Sequence, residues 1–309
     1  MVGVSVNVWN AKRYFLEREQ FSFLAQDLDE PWIKLRDSVI VMNIGCVVMK
    51  NMEPTDRTLS HLLNKVPEVT IWFWIIKVLC TTVGETAADY LNETLHFGLT
   101  GTTLVMSIAL AGVLIWQFKS KQYVPGIYWL AVVLISIVGT LVTDNLTDRF
   151  NVSLVTTTTV FAVVLCLVFA AWQSKEHTLS IHSIRTARRE AFYWLAILFT
   201  FALGTAAGDL VAEKVNIGYW KSALLFTGLI AVVTVAHKVF HANAIATFWA
   251  GYILTRPLGA SIGDYMSQAK VDGGLGIGTT GTSIVFLSVI GLVVIYMARR
   301  ETTAEQHSK

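Results

Sequence analysis

Four aspartates, Asp89, Asp144, Asp209 and Asp264, recur in one setting: each stands fifteen residues after a tryptophan that follows Tyr or Phe. A glycine lies ten residues after the same tryptophan, giving Trp74/Gly84/Asp89, Trp129/Gly139/Asp144, Trp194/Gly204/Asp209 and Trp249/Gly259/Asp264. Glu85 precedes Asp89 by four residues and so shares its face if the segment is helical. Carboxylate oxygens at such positions suit hard cations, and the same atoms exchange protons. Thr81, Ser136, Thr140 and Thr205 fall on the same stripes and offer neutral oxygen ligands, while Lys77 and Arg256 offer internal counter-charge.

Helices must position these groups. Stepping back by four from each aspartate gives the stripes Lys77/Thr81/Glu85/Asp89, Val132/Ser136/Thr140/Asp144, Ile197/Phe201/Thr205/Asp209 and Tyr252/Arg256/Ala260/Asp264. The tryptophans are separated by 55, 65 and 55 residues, so the first two copies form a pair that recurs as the third and fourth. Each copy pairs a motif helix with a second apolar helix whose start is rich in Thr and Gly, such as Thr156 to Thr159 or Gly278 to Thr282; the third copy departs with Trp220-Lys221-Ser222. Two helices per copy bring every copy in from the same side, which predicts parallel repeats.

The composition names the surroundings. Of the 309 residues 54% are hydrophobic and 15% charged, well below the quarter that is usual in soluble domains. Apolar stretches over about 68–90, 98–117, 125–146, 152–172, 191–211, 219–237, 243–264 and 277–297 are each long enough for a hydrocarbon core about 30 Å thick. The predicted fold is an all-α integral membrane protein of eight transmembrane helices, from four parallel two-helix repeats in two paired duplications. Ten basic residues (Lys65, Lys119, Lys121, Lys175, Arg185, Arg188, Arg189, Lys238, Arg299 and Arg300) flank one side, against Arg149, Lys214, Lys221 and Lys270 on the other. The positive-inside rule then places both termini in the cytoplasm. A polar stripe on such a helix is expected to face the bundle interior or a water-filled cavity.

Along the chain the expected divisions are a polar extension (1–64, disordered or a start-site artefact), repeats 1 and 2 (65–172), a cytoplasmic linker (173–190), repeats 3 and 4 (191–300) and a tail (301–309). The run 39–49 in the extension is too short to span. The motif tryptophans read as interfacial anchors and the motif glycines as close helix crossings. Pro257 beside Arg256 predicts a bent or broken helix. Cys46, Cys80 and Cys166 have no metal or disulfide spacing, and His237 and His241 are read as an interfacial pair. Gly259 to Gly263 spells G-x-S-x-G and Gly276 to Gly281 spells G-x-G-x-x-G, but neither follows a strand, so no nucleophile elbow or dinucleotide site is expected. No HExxH, P-loop or haem motif is present. No cofactor and no enzymatic activity are expected, and a net charge of +2 without a basic run argues against nucleic acid.

The string Lys65-Val66-Pro67-Glu68-Val69-Thr70, continuing through Cys80-Thr81-Thr82-Val83-Gly84-Glu85-Thr86-Ala87-Ala88-Asp89-Tyr90, resembles bacterial membrane-anchored proteins that carry a fourfold repeat of unknown function. The resemblance covers roughly residues 65–300 and implies a multi-pass protein of the bacterial inner membrane, with no settled activity attached.

The expected function is a secondary transporter or exporter of a cation, with a divalent metal such as Mn2+ as one candidate, coupled to protons. Glu85, Asp89, Asp144, Asp209 and Asp264 form the oxygen-rich ion or metal site. The alternatives are a non-transporting scaffold or sensor, with carboxylates paired off in a dry interior, and a carrier for a small organic solute. The expected partners are the lipid bilayer and a small cation or proton, with room for a homo-oligomer.

Overall fold

The computed structural model describes residues 64–307, and all their regular structure is helical. The expectations for residues 1–63, including the apolar run 39–49 and Cys46, lie outside the described residues. Eight long helices follow: α1 (Ile71–Asp89), α2 (Gly98–Lys119), α3 (Pro125–Asp144), α4 (Leu154–Glu176), α5 (Ala187–Asp209), α6 (Tyr219–Lys238), α7 (Ala244–Ser267) and α8 (Thr279–His307). Local chemistry sets their starts. The side chains of Thr70, Ser153, Thr186 and Asn243 accept backbone N–H groups in the first turns of α1, α4, α5 and α7, and Pro125 opens α3, where its missing N–H costs nothing.

Each of the first three motif helices passes directly into a five-residue π-helical turn just after its aspartate: Tyr90–Thr94, Asn145–Arg149 and Leu210–Lys214. The turn then reverses through a left-handed residue at the equivalent positions His96, Asn151 and Asn216. The fourth copy replaces the π-turn with a 3-10 turn, Lys270–Asp272. Wide π-turns push backbone aside and recur where a helix is shaped for a site.

The motif helices α1, α3, α5 and α7 form a closed ring in which each touches the next and α7 touches α1. The same contact recurs at all four joints. A Cβ on Gly84 would lie 1.9 Å from Ser136 Oγ, one on Gly139 2.9 Å from Phe201 Cβ, one on Gly204 2.3 Å from Arg256 Cγ, and one on Gly259 1.9 Å from Thr81 Oγ1. Every motif glycine thus receives the side chain seven residues after the next copy's tryptophan, and the last glycine receives the first copy's. A second set of contacts repeats the cycle. Phe73 meets Trp129, Tyr128 meets Trp194, Tyr193 meets Trp249 and Phe248 meets Trp74, with ring centroids 5.5–6.3 Å apart. The outer helices follow suit: α2 packs on α3, α4 on α5, α6 on α7 and α8 back on α1. Each copy therefore covers its successor, so 65–172 and 191–300 interlock. Head-to-tail contacts of this kind close when the rotation per copy divides the circle.

Four expectations change. Seven of the eight helices are long and apolar enough to cross a membrane; α7 falls short of the apolarity, because Thr255, Arg256, Pro257 and Asp264 occupy a face enclosed by α1, α5 and α6. Pro257 does not break α7, which runs unbroken through it, and the glycines Gly204 and Gly208 of α5 fit against its ring and backbone. Trp129, Trp194 and Trp249 are buried in the ring's aromatic layer, with Trp249 Nε1 donating to Leu179 O at 3.0 Å, so they pack the core where interfacial anchors were expected. Residues 301–307, expected as a tail, continue α8.

Candidate functional site

The N-terminal ends of the four motif helices meet in the aromatic layer, and their C-terminal ends surround a cavity of about 410 Å³. Glu85, Asp89, Asp144, Asp209 and Asp264 all line it. The sequence stripes bring these five together because the ring turns the same edge of each helix inward. The π-turns add Asp148 and Glu213, one helical step beyond Asp144 and Asp209, and the fourth copy places Gln268 at the corresponding position. Among the described residues, seven carboxylates thus face one chamber. Asp148 and Glu213 are exposed at its mouth, Asp89, Asp144 and Asp209 are half-buried, and Glu85 is buried at its floor. Among the described residues, the side chains of Asp144, Asp209 and Asp264 make no hydrogen bond or ion pair with the protein.

Arg256 closes the floor. Its side chain is fully buried, and Nη2 donates to Glu85 Oε2 at 2.8 Å, to Thr205 Oγ1 at 2.7 Å and to Thr140 Oγ1. Nη1 reaches Thr81 O at 3.3 Å, and Thr140 Oγ1 also donates to Glu85 Oε2 at 3.3 Å. One guanidinium from the fourth copy thereby ties together the other three, with a carboxylate as its charge partner. The pair is held through Nη1 and Nη2, which share these acceptors, while Arg256 Nε has no partner among the described residues.

Below Arg256 the axis is filled by side chains. Phe201 and Tyr252 stack with centroids 6.2 Å apart, and Lys77, also fully buried, sits over the Tyr252 ring at 3.9 Å and the Phe201 ring at 4.8 Å. Lys77 Nζ donates to Thr255 Oγ1 at 2.7 Å, and no carboxylate pairs with it among the described residues. Beneath lies the aromatic layer, where the Tyr128 and Tyr193 hydroxyls meet at 2.5 Å. The chamber is therefore a blind pit.

The expected neutral ligands do not line it. Thr140 and Thr205 bind Arg256, Thr81 Oγ1 donates to the carbonyls of Val78 and Thr255, and Ser136 Oγ is buried against Gly84 without a partner among the described residues. None of the four is among the residues that line the cavity. Among the described residues no group of three or more His, Cys, Asp or Glu side chains is arranged to hold a metal ion. The carboxylates surround a space wider than one ion.

Asp148, Glu213 and Gln268 lie beyond the stripes that end at the motif aspartates, although the interval of four continues straight onto them. The closed-ring geometry gives the same interval to four segments of the chain, 72–123, 127–178, 192–243 and 247–303, each holding one motif helix and its outer helix. Those segments are also the four matches to the family described as Repeat of Unknown Function (DUF347). The chain belongs to that family. In this member of the Repeat of Unknown Function family, the repeat is a structural unit that is completed only by its neighbour. No curated protein and no solved structure matches the chain.

Proposed function

We propose that this protein is a secondary transporter of a cation, exchanging it for protons at the acidic pit. One observation carries the proposal: carboxylates from all four repeats converge on a single chamber, open at one end and closed at the other by the Glu85–Arg256 pair and an aromatic plug. A cleft lined by one sign of charge concentrates counter-ions. Intramembrane carboxylates that the protein leaves without partners need cations or protons to offset their charge. A scaffold would pair its carboxylates off, whereas the side chains of Asp144, Asp209 and Asp264 make no hydrogen bond or ion pair among the described residues.

The width of the pit favours a cation that enters with part of its water, as Mg2+ and Mn2+-sized ions do before closure brings carboxylates to ligand distance. Arg256 is the gate in this scheme. A cation competing for Glu85 frees the guanidinium, which loosens its hold on Thr140 and Thr205 and so unties α3 and α5 from α7. Rearrangement of the ring then opens the plug. The four repeats run parallel in this reading, supported by their like ends meeting. The basic residues flanking the aromatic end favour that end, with both termini, facing the cytoplasm. The resemblance in sequence favours the bacterial inner membrane.

Mn2+ flux into proteoliposomes, read with an internal metal-quenched dye while pH is followed outside, tests the proposal. Glu85→Gln and Asp89→Asn are each expected to lower the flux at least about tenfold, the loss of roughly 1.4 kcal/mol of cation interaction. Unchanged flux in both variants would remove the pit from the transport path.

A further inference from the structure

The fourfold arrangement is broken at one joint. Where α4 lies against α5 and α7, Trp172 is fully buried, stacked on Phe192 at 6.4 Å and edge-on to Trp249 at 5.8 Å. One copy earlier, Gln117 of α2 is buried at the corresponding place. One copy later, the equivalent of Trp172 is His237 of α6 and the equivalent of Phe192 is Thr247 of α7, and the two make only a 3.3 Å hydrogen bond. The equivalent of Trp249 is Trp74, the one motif tryptophan that is not buried. On the floor Gly251 replaces the buried Ile76, Ala131 and Ala196 of the other copies. Smaller residues at these positions open a groove of about 850 Å³ between α1, α6 and α7.

We infer that this groove binds an anionic phospholipid, with an acyl chain along Trp74, Ile230 and Leu258 and the phosphate at His182, His237 and Lys238. The walls are mostly apolar, and the rim carries those basic residues, with His182 and Lys238 exposed. Beside the groove both bounding helices turn apolar side chains outward, Ile71 and Ile75 on α1 and Val232 and Val235 on α6, so an acyl chain enters from the surface that lipid already covers. The volume lies in the range of built ligand sites. A basic cluster at the end of a spanning helix matches an anionic headgroup, at a strength of order 1 kcal/mol per Lys.

The sequence itself supplies the test. The double variant His237→Trp/Thr247→Phe installs the Trp172/Phe192 pair that the chain already accommodates one copy earlier. Full-length protein purified in mild detergent after incubation with equal phosphatidylglycerol and phosphatidylcholine is analysed for lipid retained per chain by mass spectrometry. The wild type is expected to retain about one phosphatidylglycerol, and the double variant, eluting at the same size, at least about tenfold less. Lys238→Glu is expected to lower the preference for phosphatidylglycerol over phosphatidylcholine about fivefold. Equal retention of phosphatidylglycerol by the correctly eluting double variant, or a wild type that retains none or shows no headgroup preference, overturns the inference. Neither readout depends on cation flux.

Discussion

Glu85→Met is expected to destabilise the protein by about 5 kcal/mol, Arg256→Met by about 3 kcal/mol, and the double replacement by less than either. Arg256 has no exposed side-chain surface, and a guanidinium keeps its proton, so loss of Glu85 leaves a permanent buried charge held only by hydroxyls and a carbonyl. Glu85 borders the pit, where water reaches it, so loss of Arg256 is the smaller injury. Two methionines of similar length refill the volume and leave no charge behind, which is why the double variant recovers. Chemical unfolding of the purified protein in detergent gives all three values. A double variant less stable than Glu85→Met would mean that the two side chains do not act as a pair. The same double variant should bind no cation at the floor, which separates its stability from its transport.

The helices were legible because lipid imposes a crude rule: about twenty apolar residues, closed backbone hydrogen bonds and charge kept off the outer face. The convergence of Glu85, Asp89, Asp144, Asp209 and Asp264 was legible for a related reason, since an interval of four fixes a face and a polar face must turn inward. What those faces meet was hidden. Arg256 sits on a stripe with Asp264, yet its partners Glu85, Thr140 and Thr205 come from three other copies, and no local pattern records that pairing. Thr140 and Thr205, expected from the stripes as neutral ligands, are the guanidinium's acceptors in this structure. The tryptophans misled in a different way. A Trp near the end of a spanning helix usually sits at the headgroups, whereas here Trp129, Trp194 and Trp249 are buried against the aromatic rings of the neighbouring copies. Nor does sequence show that a π-turn carries each motif helix past its aspartate, so Asp148 and Glu213 lie beyond the predicted spans 125–146 and 191–211 although they stand at the mouth of the pit.

Gly204→Ala is expected to cost about 3 kcal/mol and to abolish cation flux, though it adds a single methyl. The new Cβ would lie 2.3 Å from Arg256 Cγ and 2.5 Å from Arg256 Cβ, with Pro257 Cδ at 3.1 Å. Those atoms belong to the inner part of a side chain and to a ring fused to the backbone, so they cannot swing clear as a side-chain tip would. Relief comes only by moving α5 from α7, and that draws Thr205 away from Arg256 and unseats the guanidinium from Glu85. Gly112→Ala and Gly228→Ala provide the contrast, because nothing lies within 4 Å of a Cβ at either position. There the gain in helix propensity, up to about 1 kcal/mol, stands alone, and flux should be unchanged. Thermal unfolding in detergent followed by tryptophan emission, with flux measured on the same preparations, ranks the three variants. If Gly204→Ala matched the two outer glycine variants in both measurements, the motif glycines would not be the joints of the ring, and the link from helix spacing to the Arg256 gate would be broken.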